Sequence, residues 1–250
     1  MALSKNKIQE IRKLHQKKFR EEKQCFLVEG TKSVIDLLNS DLKVEEIFAT
    51  ETWLSQHGAL CHRTDTIIVH QSDLERISAL ITPQEVIAIA AIPHYTLTDI
   101  NPSQPLLVLD DIRDPGNLGT IIRTADWFGV PQVLCSVNTV EFTNPKVIQA
   151  TMGSFAHIKV ICADIAHYLS SVRENRRILG TFISGNNIRN FHFNSNDILI
   201  IGNETNGISP KIADLVTEKI HIPAACCDNH AESLNASIAT AIALFCWQEG

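Results

Sequence analysis

At 250 residues, with 44% hydrophobic and 20% charged residues, the chain has the composition of a globular protein of one large or two modest domains and is too apolar for a disordered one. A formal net charge of −6 excludes a uniformly basic nucleic-acid binder. No apolar run reaches membrane-spanning length and the start, MALSKNKIQEIRK, lacks the apolar stretch of a signal peptide, so a cytoplasmic protein without a membrane partner is expected.

Residues 1–23 hold eight Lys/Arg against three Glu, a local charge of +5 that leaves −11 for the rest. Such an arm either takes up RNA or is the solvated face of a helix. Spacing predicts one amphipathic helix over 4–23, with Ile8, Ile11, Leu14 and Phe19 on its apolar side. Strand and helix signals then alternate. Strands are expected at 25–28, 44–49, 66–69 and 86–91, and helices at 31–40, 52–58 and 72–79, the last capped by Ser72. This alternation of short elements predicts a small α/β domain over residues 1–97. The stretch PHYTLTDINPSQP (93–105) holds three prolines and little apolar pattern. It reads as linker, and 98–105 is taken to join the first domain to a second over 106–250.

The second domain opens with Leu106–Leu109, an apolar run suited to a strand covered on both faces. Asp110 to Gly119 carries turn chemistry, and Ile121, Ile122, Ala125 and Phe128 recur at helical spacing until Gly129 stops the helix. Further strands are expected at 133–136, 157–161, 178–184, 197–202 and 219–222. Helices are expected at 144–153, 164–173, 209–216 and 233–247. Repeated βα units predict a parallel sheet with helices on both faces, whose ligands bind outside the carboxyl ends of the strands. Asp110, Asp111, Asn117 and Arg123 fall there.

Three stretches share the design of apolar strand followed by polar loop: DPGNLGTIIRTADWFGV, IGNETNGIS, and IP followed by ESLNASIATAIALF. Together they resemble the three motifs of the SpoU (TrmH) family of RNA ribose 2′-O-methyltransferases, within the SPOUT superfamily. KKFREEKQCFLVEGTKSVIDLL is similar to the substrate-binding domain that often precedes it. The resemblance implies a C-terminal parallel-sheet SPOUT domain with a trefoil knot, preceded by a small α/β RNA-binding domain. It also implies S-adenosyl-L-methionine as cofactor, RNA as partner (rRNA ahead of tRNA) and a homodimer.

By this resemblance the catalytic set is Asn117, Arg123, Glu204, Ser233 and Asn235. The cofactor-binding set is Gly202, Asn203, Gly207, Ile222, Pro223 and Leu234. A ribose 2′-OH needs an acceptor for its proton or charge that favours its alkoxide. Arg123, with its high pKa, serves better by holding a substrate phosphate or the alkoxide than as a free base. Plainer roles exist for each: an Arg123–Asp126 ion pair, Asn117 or Ser233 as helix N-caps, Glu204 as a loop acid facing water. In the first domain Arg20, Glu29 and Lys32 are the RNA-gripping candidates, against a simple strand-to-helix turn at Glu29–Gly30.

The seven cysteines, at 25, 61, 135, 162, 226, 227 and 246, include no C-x-x-C pair and argue against a disulfide framework or zinc site. The loop AACCDNHAE is longer than the family's third loop. Its Cys226, Cys227 and His230, with His221, make an awkward tetrahedral set, so no metal is expected. Two alternatives remain. One is a catalytically silent RNA-binding or ribosome-assembly protein on the same scaffold, which the full polar set disfavours. The other is a dinucleotide-dependent dehydrogenase, which lacks its G-x-G-x-x-G.

Overall fold

The computed structural model describes residues 2–62, 64–224 and 233–249. Up to residue 94 the elements are α1 (Lys5–Lys13), α2 (Lys17–Lys23), β1 (Cys25–Glu29), α3 (Thr31–Leu38), β2 (Val44–Ala49), α4 (Glu51–His57), β3 (Asp65–Ile68), α5 (Gln71–Ile77) and β4 (Val86–Ala91). Beyond it come β5 (Leu106–Leu109), α6 (Pro115–Trp127), β6 (Gln132–Cys135), α7 (Pro145–Thr151), β7 (Lys159–Cys162), α8 (Ile165–Val172), β8 (Ile178–Asn187), β9 (Ile198–Ile201), α9 (Pro210–Ala213), β10 (Glu218–His221) and α10 (Ala236–Glu249). They fall into two compact units, residues 2–94 with 141–157, and 95–140 with 158–249.

The first unit is a four-stranded sheet in the order β1-β4-β2-β3, with β4 antiparallel to both its neighbours. Strand alternation divides its core in two. Phe26, Val28, Ala88 and Ala90 face Val34, Leu37 and Trp53, while Leu27, Ile87 and Ile89 face Ile8, Ile11, Leu74 and Ile77. The segment 141–157, expected inside the 106–250 domain, packs into this unit. Ile148 and Phe155 belong to the first of its two clusters, and Phe155 meets Phe26 edge-on, ring centroids 6.0 Å apart.

The expected single helix over 4–23 is two helices. Leu14 ends α1, and Arg20, 2% exposed, donates from Nη1 to the Leu14 carbonyl at 2.9 Å. An arginine turned inward to satisfy a helix end breaks the apolar stripe that a continuous helix would need. Arg20 also pairs with Glu141 through Nε at 3.0 Å and Nη2 at 2.7 Å. Burial raises the pKa of Glu141, but the Arg20 and Thr143 hydrogen bonds outweigh it and the net shift is downward. Glu29 accepts from Ser78 Oγ and the Ala79 N–H, and Lys32 reaches Asp36 and the Met152 carbonyl. Ser72 lies within α5, whose N-cap is His70.

The second unit is a six-stranded, wholly parallel sheet in the order β10-β8-β9-β5-β6-β7. All four residues of β5, β6 and β9 are buried, as central parallel strands require. Leu106, Val108, Ile198 and Ile200 meet Ile165 and Leu169 of α8. Leu107, Leu109 and Leu199 alternate to the other side and are equally buried. There α10 packs on α6, burying Ala236, Thr240, Ala243 and Leu244 at helical spacing. Among the described residues no helix is long and apolar enough to cross a membrane.

Two helix starts differ from expectation. α6 begins at Pro115, because the Asp114 carboxylate accepts from the Asn117 N–H at 2.8 Å and proline suits the first helical position. α10 begins at Ala236, not 233, because Asn235 Oδ1 accepts from the Ser237 N–H at 2.9 Å. Asn117 and Ser233 are therefore not caps.

Candidate active site

The pairing of β5 with β9, Leu106 opposite Ile198 through Leu109 opposite Ile201, brings both strands to their ends at one level. Asp110 and Gly202 emerge side by side, and the Asp110 N–H donates to the Ile201 carbonyl at 2.9 Å. Two polar loops are thus pressed together by strand register. Asp110, buried, accepts from the Ser209 N–H at 2.8 Å. Asp111 offers its carbonyl to Asn203 Nδ2, also at 2.8 Å. The turn 203–209 is therefore clamped at both ends by consecutive residues of the β5 loop. Asn203 Oδ1 braces the turn from inside by accepting from the Thr205 and Asn206 N–H groups.

Gly202 and Gly207 make this closure possible. A Cβ on Gly202 would lie 2.3 Å from the Gly207 carbonyl carbon, and Gly207 has φ +65°. Both demands exclude most side chains.

The clamped turn presents Glu204, half-buried, to the first turn of α6. Asn117 Nδ2 donates to Glu204 Oε1, Asn235 Nδ2 donates to Asn117 Oδ1 at 3.0 Å, and Ser233 Oγ donates to the Glu204 carbonyl at 3.3 Å. Four candidates from three separate segments thus form one network. Arg123 stands outside it, on the exposed side of α6, with no hydrogen bond or ion pair to any described residue. It makes no bridge to Asp126.

Ile222 and Pro223 are half-buried just past β10, and Leu234 is 45% exposed. His221 Nδ1 is buried and lacks a partner among the described residues. Half-buried apolar side chains directly following the unsatisfied His221 Nδ1 fit an adenosine, which needs a flat apolar contact and a polar edge. Cys226, Cys227 and His230 lie outside the described residues, as does most of the long third loop. Among the described residues no group of His, Cys, Asp or Glu could hold a metal ion.

Asp110 and Asp111, expected at the strand end where ligands bind, take the clamping roles, while Asp114 and Arg113 are site residues that the motifs do not mark. Arg113 Nε donates to Asp111 Oδ1 at 2.8 Å, and that carboxylate raises the Arg113 pKa. Aspartates at the end of a buried strand are the signal that marks the clamps. Nothing in the sequence singles out Arg113.

A wholly parallel sheet with an amide–carboxylate network at the ends of adjacent strands, and no G-x-G-x-x-G loop after β5, defines an α/β protein whose site is not the dinucleotide-binding one. The chain belongs to the SpoU rRNA Methylase family, whose model matches residues 104–245. The model of the MRM3-like substrate binding domain matches 5–88. The chain is 29% identical over 245 residues to the 23S rRNA (guanosine(2553)-2'-O)-methyltransferase RlmP of Bacillus subtilis, covering 96% of this chain and 94% of that one. A TrmH-family protein from Porphyromonas gingivalis superposes with a TM-score of 0.90 at 33% identity, over 100% of this chain and 99% of its own. The AdoMet-bound rRNA methyltransferase from Sinorhizobium meliloti gives 0.89 at 31% identity, over 100% and 96%. The fold is that of the SPOUT structures of the TrmH family.

Proposed function

We propose that this chain transfers a methyl group from S-adenosylmethionine to a ribose 2′-OH of ribosomal RNA, with Arg123 acting on the nucleophile. The observation that carries the reading is the Asn117–Glu204–Asn235 network, which ties together residues from all three family motifs. When bound, the cofactor supplies a methyl carbon made electrophilic by its sulfonium. Gly202, Asn203, Gly207, Ile222, Pro223 and Leu234 hold it. Asn117, Glu204, Ser233 and Asn235 shape the floor on which the ribose lies. Arg123 stays protonated, so it binds the phosphate next to the target ribose or the developing alkoxide, and lowers the cost of losing the 2′-OH proton.

Ribosomal RNA is favoured over transfer RNA because RlmP, matched over nearly the whole chain, is named for 23S rRNA. In this reading residues 1–97 grip the RNA through a basic α1–α2 surface, 98–105 join the domains, and 106–250 carry the chemistry in a knotted homodimer. Arg123 is then completed by groups beyond the single chain's own network.

The test is transfer of labelled methyl to unmodified rRNA followed by alkaline hydrolysis. A 2′-O-methyl blocks cleavage of its 3′ phosphodiester, so label is expected in alkali-resistant dinucleotides, and is expected to be lost with Arg123→Ala. Label recovered in mononucleotides would mean base methylation and overturn the assignment of the nucleophile.

A further inference from the structure

We propose that Arg113 is an anchor for a phosphate of the substrate RNA near the target ribose, its guanidinium held in place by Asp111. The inference deepens the function proposed above and rests on it. Arg113 lies in the loop between β5 and α6, one residue before the Asp114 cap and four before Asn117. Its side chain is 70% exposed, yet it is fixed: Nε donates to Asp111 Oδ1 at 2.8 Å.

Asp111 is itself held unusually firmly. It has φ +61°, a region that non-glycine residues rarely adopt, its N–H donates to Ser136 Oγ at 2.9 Å, and its carbonyl accepts from Asn203. Backbone held in that region is costly and collects at functional sites. An exposed ion pair contributes too little stability to account for such an arrangement.

The pairing consumes a single N–H of the guanidinium. The two Nη groups carry no hydrogen bond to any described residue. They form a planar fork matched to two oxygens of a phosphate, already ordered by the Nε contact, so little side-chain entropy is lost on binding. Arg113 precedes the first residue of α6 by two positions, so the positive end of that helix's dipole adds to the attraction for an anion bound there. Outside the basic arm the chain carries −11, so a fixed, outward cation beside the polar network is a place where an RNA backbone is favoured. S-adenosylmethionine has no phosphate. Its carboxylate is the other anion that could meet the fork, and the experiment separates the two.

The experiment compares wild type with Arg113→Ala, Arg113→Lys and Asp111→Asn, using a 23S rRNA transcript as the RNA. Asparagine tolerates positive φ, so Asp111→Asn keeps the backbone clamp while weakening the hold on the guanidinium. For Arg113→Ala, KM for RNA is expected to rise about tenfold and to rise more than kcat falls. Affinity for S-adenosylhomocysteine, measured by calorimetry, is expected to hold. The slope of log affinity against log salt is expected to flatten by about 0.7–0.9, one phosphate contact. Arg113→Lys should restore the slope but not the full affinity, and Asp111→Asn should fall between wild type and Arg113→Ala.

Weakened S-adenosylhomocysteine binding would assign the fork to the cofactor carboxylate and overturn the proposal. Weakened RNA binding with an unchanged slope would indicate a base edge and also overturn it, as would unaltered RNA binding. Wild type that transfers no methyl would refute the proposed function instead, and the salt series on RNA binding alone would still decide whether Arg113 meets a phosphate.

Discussion

One carboxylate sets the direction of the amide hydrogen bonds in the network. Glu204 Oε1 accepts from Asn117 Nδ2, which fixes the amide with Nδ2 toward the carboxylate and Oδ1 away. That leaves Asn117 Oδ1 as acceptor for Asn235 Nδ2, which in turn leaves Asn235 Oδ1 free to cap α10 through the Ser237 N–H. Glu204→Gln keeps the shape but can both donate and accept, so this polarity is lost. Methyl transfer is expected to fall about tenfold to a hundredfold, the cost of a misdirected, half-buried hydrogen bond to a charged group, with KM for RNA moving less. Steady-state kinetics of the two enzymes measure it, and an unchanged kcat for Glu204→Gln would refute the polarity argument.

At the scale of elements, the strands were legible and the helix ends only in part: the start of α7 at Asn144–Pro145 and the stop of α6 at Gly129 stand, others do not. Leu106–Leu109 and Ile198–Ile201 announce themselves as apolar runs, and their parallel pairing then carries the polar residues that follow to one level. Helix starts depend on single side chains that can bond the chain in more than one way. Asp114 caps α6 seven residues before the apolar spacing becomes visible at Ile121, because its carboxylate takes the Asn117 N–H. Arg20 reads as one more lysine-like cation of a basic helix until the fold turns it inward to the Leu14 carbonyl. Such residues look alike in sequence whether they face solvent or a helix end, so periodicity cannot separate the two. The cap at Asp114 also sets where Asn117 stands. Asp114→Ala is expected to destabilise the protein by about 1 kcal/mol, read as a lowered Tm. Methyl transfer should fall further than that loss of folded protein explains, because the first turn of α6 frays beneath Asn117. Asp114→Ser, which restores a cap, is expected to recover both. Recovery of Tm without activity would separate the cap from the site and count against this link.

At the scale of the whole molecule, the segment 141–157 is the feature that local pattern could not reveal. Its own sequence reads as a turn and a short helix, and nothing periodic shows which sheet it covers. In the structure it completes the first unit: Glu141 is the counter-charge of buried Arg20, and Ile148 and Phe155 cover one side of the sheet beside Phe26. A fragment of residues 1–97 therefore retains all four strands of its sheet but loses part of its core and leaves a buried arginine unpaired. Removing one partner of a buried ion pair costs about 3–5 kcal/mol, and exposing a covered aromatic cluster adds about 2 kcal/mol more. Against a total stability of about 5–15 kcal/mol for a domain, those losses are enough to unfold it. The fragment 1–97 is expected to show no cooperative thermal transition and no near-ultraviolet signal from Trp53, whose ring packs in the affected cluster. The same fragment joined through a flexible linker to 141–157 is expected to recover both. If the bare fragment melts cooperatively at the temperature of the joined one, the segment is an accessory. If only the joined fragment melts so, the first unit is assembled from two distant stretches of chain.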